Sequence, residues 1–224
     1  MHWEALWLSV RLSFWTVLIL ILIGTPIALW LTFTSKRWKF LVEAVVALPL
    51  VLPPTVLGFY ILLSIGPNSP LGRMYNNVTG GWLPFSFQGL LLASVLYSLP
   101  FAVQPFASAF ASVDRRLIEA SWCLGASRTA TFFKVILPLS LPGVITGIVL
   151  SFAHTLGEFG VVLMVGGNLP GVTRTVSIAV YDEVQALNYA AAGQTAALLL
   201  VVSFVVLAVT YGLQRRIWTV WPNS

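Results

Sequence analysis

Charge is scarce in this sequence. Asp, Glu, Lys and Arg together make up only 8% of its 224 residues, while 58% are hydrophobic. A soluble domain carries about 25% charged residues, so these few cannot cover a water-facing surface, and lipid must cover much of it. Cysteine is nearly absent: Cys123 stands alone, which excludes an internal disulfide. Histidine is almost as rare. His2 is terminal, so His154 is the one imidazole in an apolar run, and a histidine-based metalloenzyme is disfavoured. No glycine-rich phosphate loop followed by Lys-Ser or Lys-Thr occurs, so the chain has no means of its own to bind a nucleotide. The net charge of +5 does not point to nucleic acid, because the basic residues lie in short clusters between apolar runs.

What the chain does have is apolar runs of helix length. Spanning the hydrocarbon takes about 20 such residues as a helix, and residues 12–34, 41–65, 87–110, 138–160 and 194–213 meet that length. Each run is continuous, unlike the alternating ten-residue strands of a membrane β-barrel. The first is longer than the apolar core of a signal peptide, about 7–15 residues. It also leads into a basic cluster, not a cleavage site, and reads as a retained helix. The expected fold is therefore all-α, a polytopic transmembrane bundle of about five spans in a single domain, residues 1–224.

Basic residues set the orientation, since they accumulate on the cytoplasmic side. Lys36, Arg37 and Lys39 follow the first run, Arg115, Arg116, Arg128 and Lys134 lie between the third and fourth, and Arg215 and Arg216 follow the fifth. Only Arg11, Arg73 and Arg174 fall on the other side. The expectation is an N-terminus outside and a C-terminus in the cytoplasm.

Two connections are unusual. Residues 111–137 are neither polar enough for a linker nor apolar enough to span. Residues 161–193 begin apolar, break at Gly166-Gly167-Asn168-Leu169-Pro170-Gly171, and resume with Val176 to Val180. Irregular backbone of this kind is tolerated near membrane depth only against protein or a water-lined cavity. Proline interrupts two spans as well: Pro49, Pro53 and Pro54 in the second, Pro100 and Pro105 in the third. Each removes a backbone donor and bends its helix, giving either a bent packing helix or a broken helix along a transport path.

Within 111–137, Asp114 to Leu124 reads as a short helix, with Asp114 as its N-cap and Gly125 as a left-handed stop. Pro138 suits the first turn of the next span. Glu119-Ala120-Ser121, then Gly125-Ala126, then Val135 and Leu137-Pro138, resemble in register the signature loop of bacterial ABC importer permeases. Ser121 replaces the family's second alanine and Val135 its isoleucine. The resemblance implies the type I importer permease fold, with a short helix that docks into a cytoplasmic ATPase subunit. Further along, His154-Thr155-Leu156-Gly157-Glu158-Phe159-Gly160 and Met164 to Gly171 with Thr173-Arg174-Thr175 resemble the molybdate-type permeases. Tyr181-Asp182-Glu183 and Asn188 to Gly193 fit them too. Permeases for tungstate, sulfate or thiosulfate share much of this pattern. The resemblance implies a transport subunit of a bacterial plasma (inner) membrane, with no cofactor of its own. ATP would be used by the partner subunit, a periplasmic or lipid-anchored molybdate-binding protein would deliver substrate, and two copies would form the pathway.

The candidate coupling residues are then Glu119, Ala120, Ser121, Gly125, Ala126, Leu137 and Pro138. Candidate pathway or outer-gate residues are His154, Gly157, Glu158, Gly167, Asn168 and Pro170. His154 and Glu158, four apart, are expected on one helix face. Counting about 30 Å up the helix from Pro138 puts Glu158 near the outer interface in a paired structural role. A more remote alternative makes the two an acid–base pair of a membrane enzyme; an autonomous channel leaves the signature loop unexplained. Thr55, Ser94, Ser98, Gln104, Thr146 and Ser151 are hydroxyl and amide donors inside apolar runs, and packing accounts for most of them. Arg174, Asp182 and Glu183 are solvated loop charges by default, and their place in the family-like outer segment favours a role in docking the binding protein.

Overall fold

A computed structural model describes residues 2–220, with side chains except at 211 and 213–220; the basic pair Arg215 and Arg216 therefore lies outside the described side chains. All regular structure among the described residues is helical. Four stretches are long and apolar enough to cross a membrane: Trp3–Phe33 (α1), Phe87–Ala111 (α5), Arg128–Gly157 and Tyr189–Thr210. A fifth candidate is a pair of shorter helices, Lys39–Val51 (α2) and Pro54–Ile65 (α3), bent by 115° at the break between them, which counts as a span if the two halves are taken as one. Short helices connect these: Pro70–Thr79 (α4), Arg115–Cys123 (α6), Gly160–Gly166 (α9) and Val176–Gln185 (α10), the last leading into α11, Tyr189–Val220.

Of the prolines inside the apolar runs, only Pro53 and Pro54 break a helix. Pro100 and Pro105 remain within α5, and Pro49 within α2. At the break, Leu52 turns extended and Pro54 occupies the first turn of α3, where its missing N–H leaves nothing unsatisfied.

The fourth span begins earlier than Pro138. Ser127 caps a helix at Arg128–Thr131 (α7), accepting from the Ala130 amide at 3.2 Å. A π-helical turn, Phe132–Ile136, then joins it to Leu137–Gly157 (α8). In that turn the Leu137 amide donates to the Phe132 carbonyl. The wider turn lets Pro138, which has no amide to donate, sit inside a continuous helix instead of at its start.

At the centre of the bundle stands α5, with Val103, Phe106 and Phe110 buried against Leu20, Ala28, Val144 and Ile136. Gly143 and Gly147, one turn apart on α8, let the two backbones approach closely. A Cβ on Gly147 would come within 2.7 Å of the Phe106 ring and 3.3 Å of the Ala102 carbonyl, and one on Gly143 within 2.5 Å of the Ala109 Cβ. Small residues spaced in this way drive helix association in lipid, where apolar side chains gain little by burial. By contrast α11 is peripheral, with Leu200 70% and Phe204 69% exposed.

Gly147→Leu should therefore cost about 1–3 kcal/mol of stability through overpacking, read as a lower unfolding midpoint in detergent. The control is Gly193→Leu on α11, where a Cβ would meet nothing within 4 Å; it should leave the midpoint unchanged.

Candidate functional site

At one end of the bundle α6 projects from the helices. Asp114 caps it, accepting from the Arg116 amide at 2.9 Å. Its C-terminus closes with the Gly125 amide donating to the Trp122 carbonyl at 2.9 Å and the Ala126 amide to the Ser121 carbonyl at 3.0 Å. This double bond pattern needs a left-handed residue after the cap, and Gly125 has φ +81°. Ile118 is the buried anchor of α6. The Ser121 hydroxyl lies 2.8 Å from that of Thr131 on α7, so the replacement of alanine by Ser121 supplies a tie to the fourth span. Glu119 and Ala120 face outward beside Leu117, Trp122 and Leu124, the last 89% exposed. Leu137 and Pro138 are not on α6 but open α8, directly after the π turn.

The opposite end holds the irregular segment 161–193. Asn168 donates through Nδ2 to both Asp182 oxygens at 2.9 and 2.7 Å, and its Oδ1 accepts from Arg174 Nε at 2.6 Å. The Arg174 guanidinium also lies 3.5 Å from Asp182. Thr173 is fully buried, donating to the Gly166 carbonyl at 2.7 Å. Arg174 and Asp182 are thus not loose solvated charges: one amide side chain reads both. Pro170 and Gly171 lie exposed at the tip, and Gly167 turns there with φ +64°. The Val176 amide donates to Ser9 of α1 at 2.8 Å, and His2 reaches Glu183 at 2.6 Å.

Between the ends, two helix breaks meet. A Cβ on Gly160, at the start of α9, would lie 2.8 Å from Pro54, at the start of α3. Glu158 sits in the α8–α9 break with extended backbone angles. It is only 4% exposed, and neither carboxylate oxygen has a hydrogen bond of good geometry. Ser94 of α5 is its polar neighbour. The starting level assumed in counting to Glu158 differs in the structure. Gly143 is level with Ala109 near the end of α5, so Pro138, about 7 Å further along α8, lies at or beyond that end. Counting from Pro138 overstates the depth already crossed. Glu158 lies level with Ser94, little more than one turn from the middle of α5.

His154 does not pair with Glu158. Its Nδ1 is 3.0 Å from the Ser98 hydroxyl, which is 2.9 Å from the Thr155 hydroxyl. Its ring stacks on Phe101 at 3.9 Å between centroids and meets Tyr97 at 4.7 Å. The helix ends at Gly157, so the four-residue spacing no longer places both groups on one face. That removes the geometry an acid–base pair needs. Among the described residues no group of three metal-ligating side chains occurs. The Ser94–Ser98 spacing on α5 was visible in the sequence. The link from Asn168 to Asp182 was not, since it depends on how the loop folds.

Comparison with known proteins gives the family. A family model described as the binding-protein-dependent transport system inner membrane component matches residues 12–219. The molybdenum transport system permease protein ModB of Azotobacter vinelandii is 50% identical over 94% of this chain and 93% of its own. ModB of Escherichia coli K12 is 38% identical over 82% of this chain and 80% of its own. The probable sulfate transport system permease protein cysT of Chlorella vulgaris is 32% identical over 88% of this chain and 73% of its own. Two solved structures share the fold at 18% identity. They are the inward-facing methionine ABC transporter MetNI (TM-score 0.73, 97% of this chain, 96% of that one) and a bacterial alginate ABC transporter in complex with its pentasaccharide-bound periplasmic protein (TM-score 0.77, 96% and 78%).

The segment 161–193 yields two expectations. On a Cys123→Ser background, Thr173→Cys should resist a thiol reagent, and adding Asn168→Ala should expose it, since losing that amide costs about 1–2 kcal/mol of local order. The hydrogen bond with His2, aided by Asn188, holds the Glu183 carboxyl below its usual range. A depressed carboxyl stabilises the tie at pH above its unfolded value, and the tie is lost as pH falls through the folded value. A spin label at Trp3 should gain mobility across that acid window, and Glu183→Gln should abolish the transition.

Proposed function

Because the chain belongs to the family of binding-protein-dependent transport system inner membrane components, we propose that it is the membrane-spanning subunit of an ABC importer for molybdate. It is a transport component and not an enzyme; ATP is hydrolysed by a separate partner. The observation that carries the substrate is the 50% identity to a molybdenum permease along nearly the whole chain. The sulfate-type relative from Chlorella vulgaris keeps sulfate as the second reading, with tungstate and thiosulfate beside it as related oxyanions.

The partners follow from the two ends. The exposed face of α6, with Glu119, Ala120, Trp122 and Leu124, is the docking surface for the cytoplasmic ATPase, and Ser121, Gly125 and Ala126 hold its shape. Leu137 and Pro138 pass movement of α6 into the fourth span. At the other end the Asn168 network, with Gly167 and Pro170 at its tip, forms the rigid rim that receives a periplasmic or lipid-anchored binding protein. Gly157 and Glu158, at the α8–α9 break, form the outer gate beneath that rim. Two copies enclose the pathway, and the N-terminus lies outside with the C-terminus in the cytoplasm of a bacterial cell. The bundle supports that orientation: Arg11 and Arg174 lie at the rim end, while Lys36, Lys39, Arg115 and Arg128 lie at the α6 end.

Proteoliposomes containing the permease, its ATPase and its binding protein should take up molybdate with ATP, and excess unlabelled sulfate should compete poorly. Equal competition by sulfate would favour the second reading. Thiol labelling at Leu124→Cys from the cytoplasmic face and at Val172→Cys from outside tests the orientation; the reverse pattern would invert it. A side chain at Gly125 meets no atom within 4 Å, so the penalty there is conformational, about 1–2 kcal/mol for a left-handed residue. Gly125→Asp adds a charge at the contact and should weaken ATPase association while insertion is retained. Gly125→Asn, which tolerates that conformation, should be the mildest substitution.

A further inference from the structure

Ionisable side chains at membrane depth face a bundle interior or a water-filled cavity, because lipid cannot satisfy them. His154 is such a group. Its partner Ser98 is near the middle of the 25-residue α5, a helix of spanning length, so the imidazole lies about halfway along that span. Yet it is not fully enclosed: the residue is half-buried, and Nε2 has no hydrogen bond but is not among the enclosed polar atoms. On α5, Tyr97, Phe101, Gln104 and Ser108 follow at helical spacing along one face. Gln104 and Ser108 line a cleft of about 450 Å³ shared with Thr32, Lys39 and Glu43. A strip of polar and aromatic groups thus runs from His154 to the α6 end, with Gln104, Lys39 and Glu43 as groups that hydrocarbon would not satisfy.

The hydroxyls beside His154 fix which nitrogen carries its proton. Ser98 is fully buried and Thr155 is 2% exposed. Among the described residues neither hydroxyl bonds a backbone carbonyl, so there Thr155 has Ser98 as its partner and Ser98 has Thr155 and His154. If Ser98 donated to Thr155, the Thr155 proton would be enclosed with no acceptor, which buried polar groups avoid. Every proton is used only when Thr155 donates to Ser98 and Ser98 donates to Nδ1. A neutral imidazole accepting at Nδ1 carries its hydrogen on Nε2, the nitrogen that is left free.

We propose that His154 is a substrate-contacting residue of the translocation path, presenting Nε2–H as a hydrogen-bond donor to the permeating oxyanion under the control of Ser98 and Thr155. This rests on the permease reading above. The ligand class is a tetrahedral oxyanion, which offers only acceptors. A neutral donor suits a conduit: it guides the anion past mid-membrane without the tight hold of a fixed cation. Glu158 does not compete for that role, because both its oxygens are enclosed and turned toward Ser94. Phe101 and Tyr97 hold the ring plane, so the direction of the donor is set before substrate arrives.

The test uses the full transporter in liposomes with its molybdate-loaded binding protein, measuring both molybdate uptake and ATP hydrolysis. His154→Phe keeps the ring packing and removes the donor. Uptake should fall by about tenfold, the scale of one hydrogen bond to a charged acceptor, while ATP hydrolysis stimulated by the loaded binding protein persists. His154→Gln places an amide N–H close to the Nε2 position and should recover most of the uptake. Ser98→Ala frees the tautomer and should give an intermediate loss. Wild-type uptake in His154→Phe would overturn the proposal. So would loss of uptake and hydrolysis together with no recovery in His154→Gln, because packing alone would then explain the position. Failure of the wild-type transporter to take up any oxyanion would instead defeat the permease reading itself.

Discussion

The approach of α8 to α5 with almost nothing between their backbones is the contact on which the other features rest. Gly143 and Gly147 leave room for Ala109, Phe106 and the Ala102 carbonyl, and hydrocarbon offers no substitute for that packing. Because the two helices touch there, residues about two to three turns further along them also meet. Ser98 comes within reach of His154 and Thr155, and Ser94 comes beside Glu158. A bulkier residue at position 147 would separate the polar groups as well as the helices. Packing and chemistry are coupled at this seam.

The helix breaks obey a related rule. Backbone groups freed at membrane depth must find partners within the protein. At Leu52 the cap amide still donates to the Leu48 carbonyl, and at Glu158 the amide donates to Thr155. The two breaks lie side by side because Gly160 accepts the Pro54 ring against its backbone. At the α8–α9 break Glu158 is enclosed by neighbouring helices, whereas Pro53 and Pro54 at the α2–α3 break stay exposed. The Asn168 network serves the same purpose at the rim, where one amide satisfies both a carboxylate and a guanidinium.

Much of this was legible in the sequence because it depends on local chemistry. Length and hydropathy give the spans, and Asp114 and Gly125 delimit α6; the sequence leaves open which of the proline-bearing runs is broken, and only Pro53 and Pro54 interrupt a helix. The depth of Glu158 was not legible, since it depends on where the fourth span begins. Ser127 is an ordinary N-cap, but Pro138 further along looked like a stronger start signal, and only the π turn at Phe132–Ile136 reconciles the two. The pairing of Asn168 with Asp182 was hidden for another reason. Residues 14 positions apart across an irregular loop leave no periodic trace. Nor could four-residue spacing reveal that His154 and Glu158 part company, because the helix ends between them.

The fourth span also has a geometry of leverage. Arg128–Gly157 is a 30-residue helix, about 45 Å long at 1.5 Å per residue. It is pinned near Gly143 and Gly147, roughly 25 Å from one end and 18 Å from the other. Rocking it by about 10° about that fulcrum would carry the end beside α6 through about 4 Å and the end beside Glu158 through about 3 Å, in opposite directions. Ser121 and Thr131 join α6 to the longer arm, and the π turn lies within that arm. The shorter arm ends at the helix break. A see-saw of these proportions converts a push at one membrane face into a withdrawal at the other, without either end having to unfold.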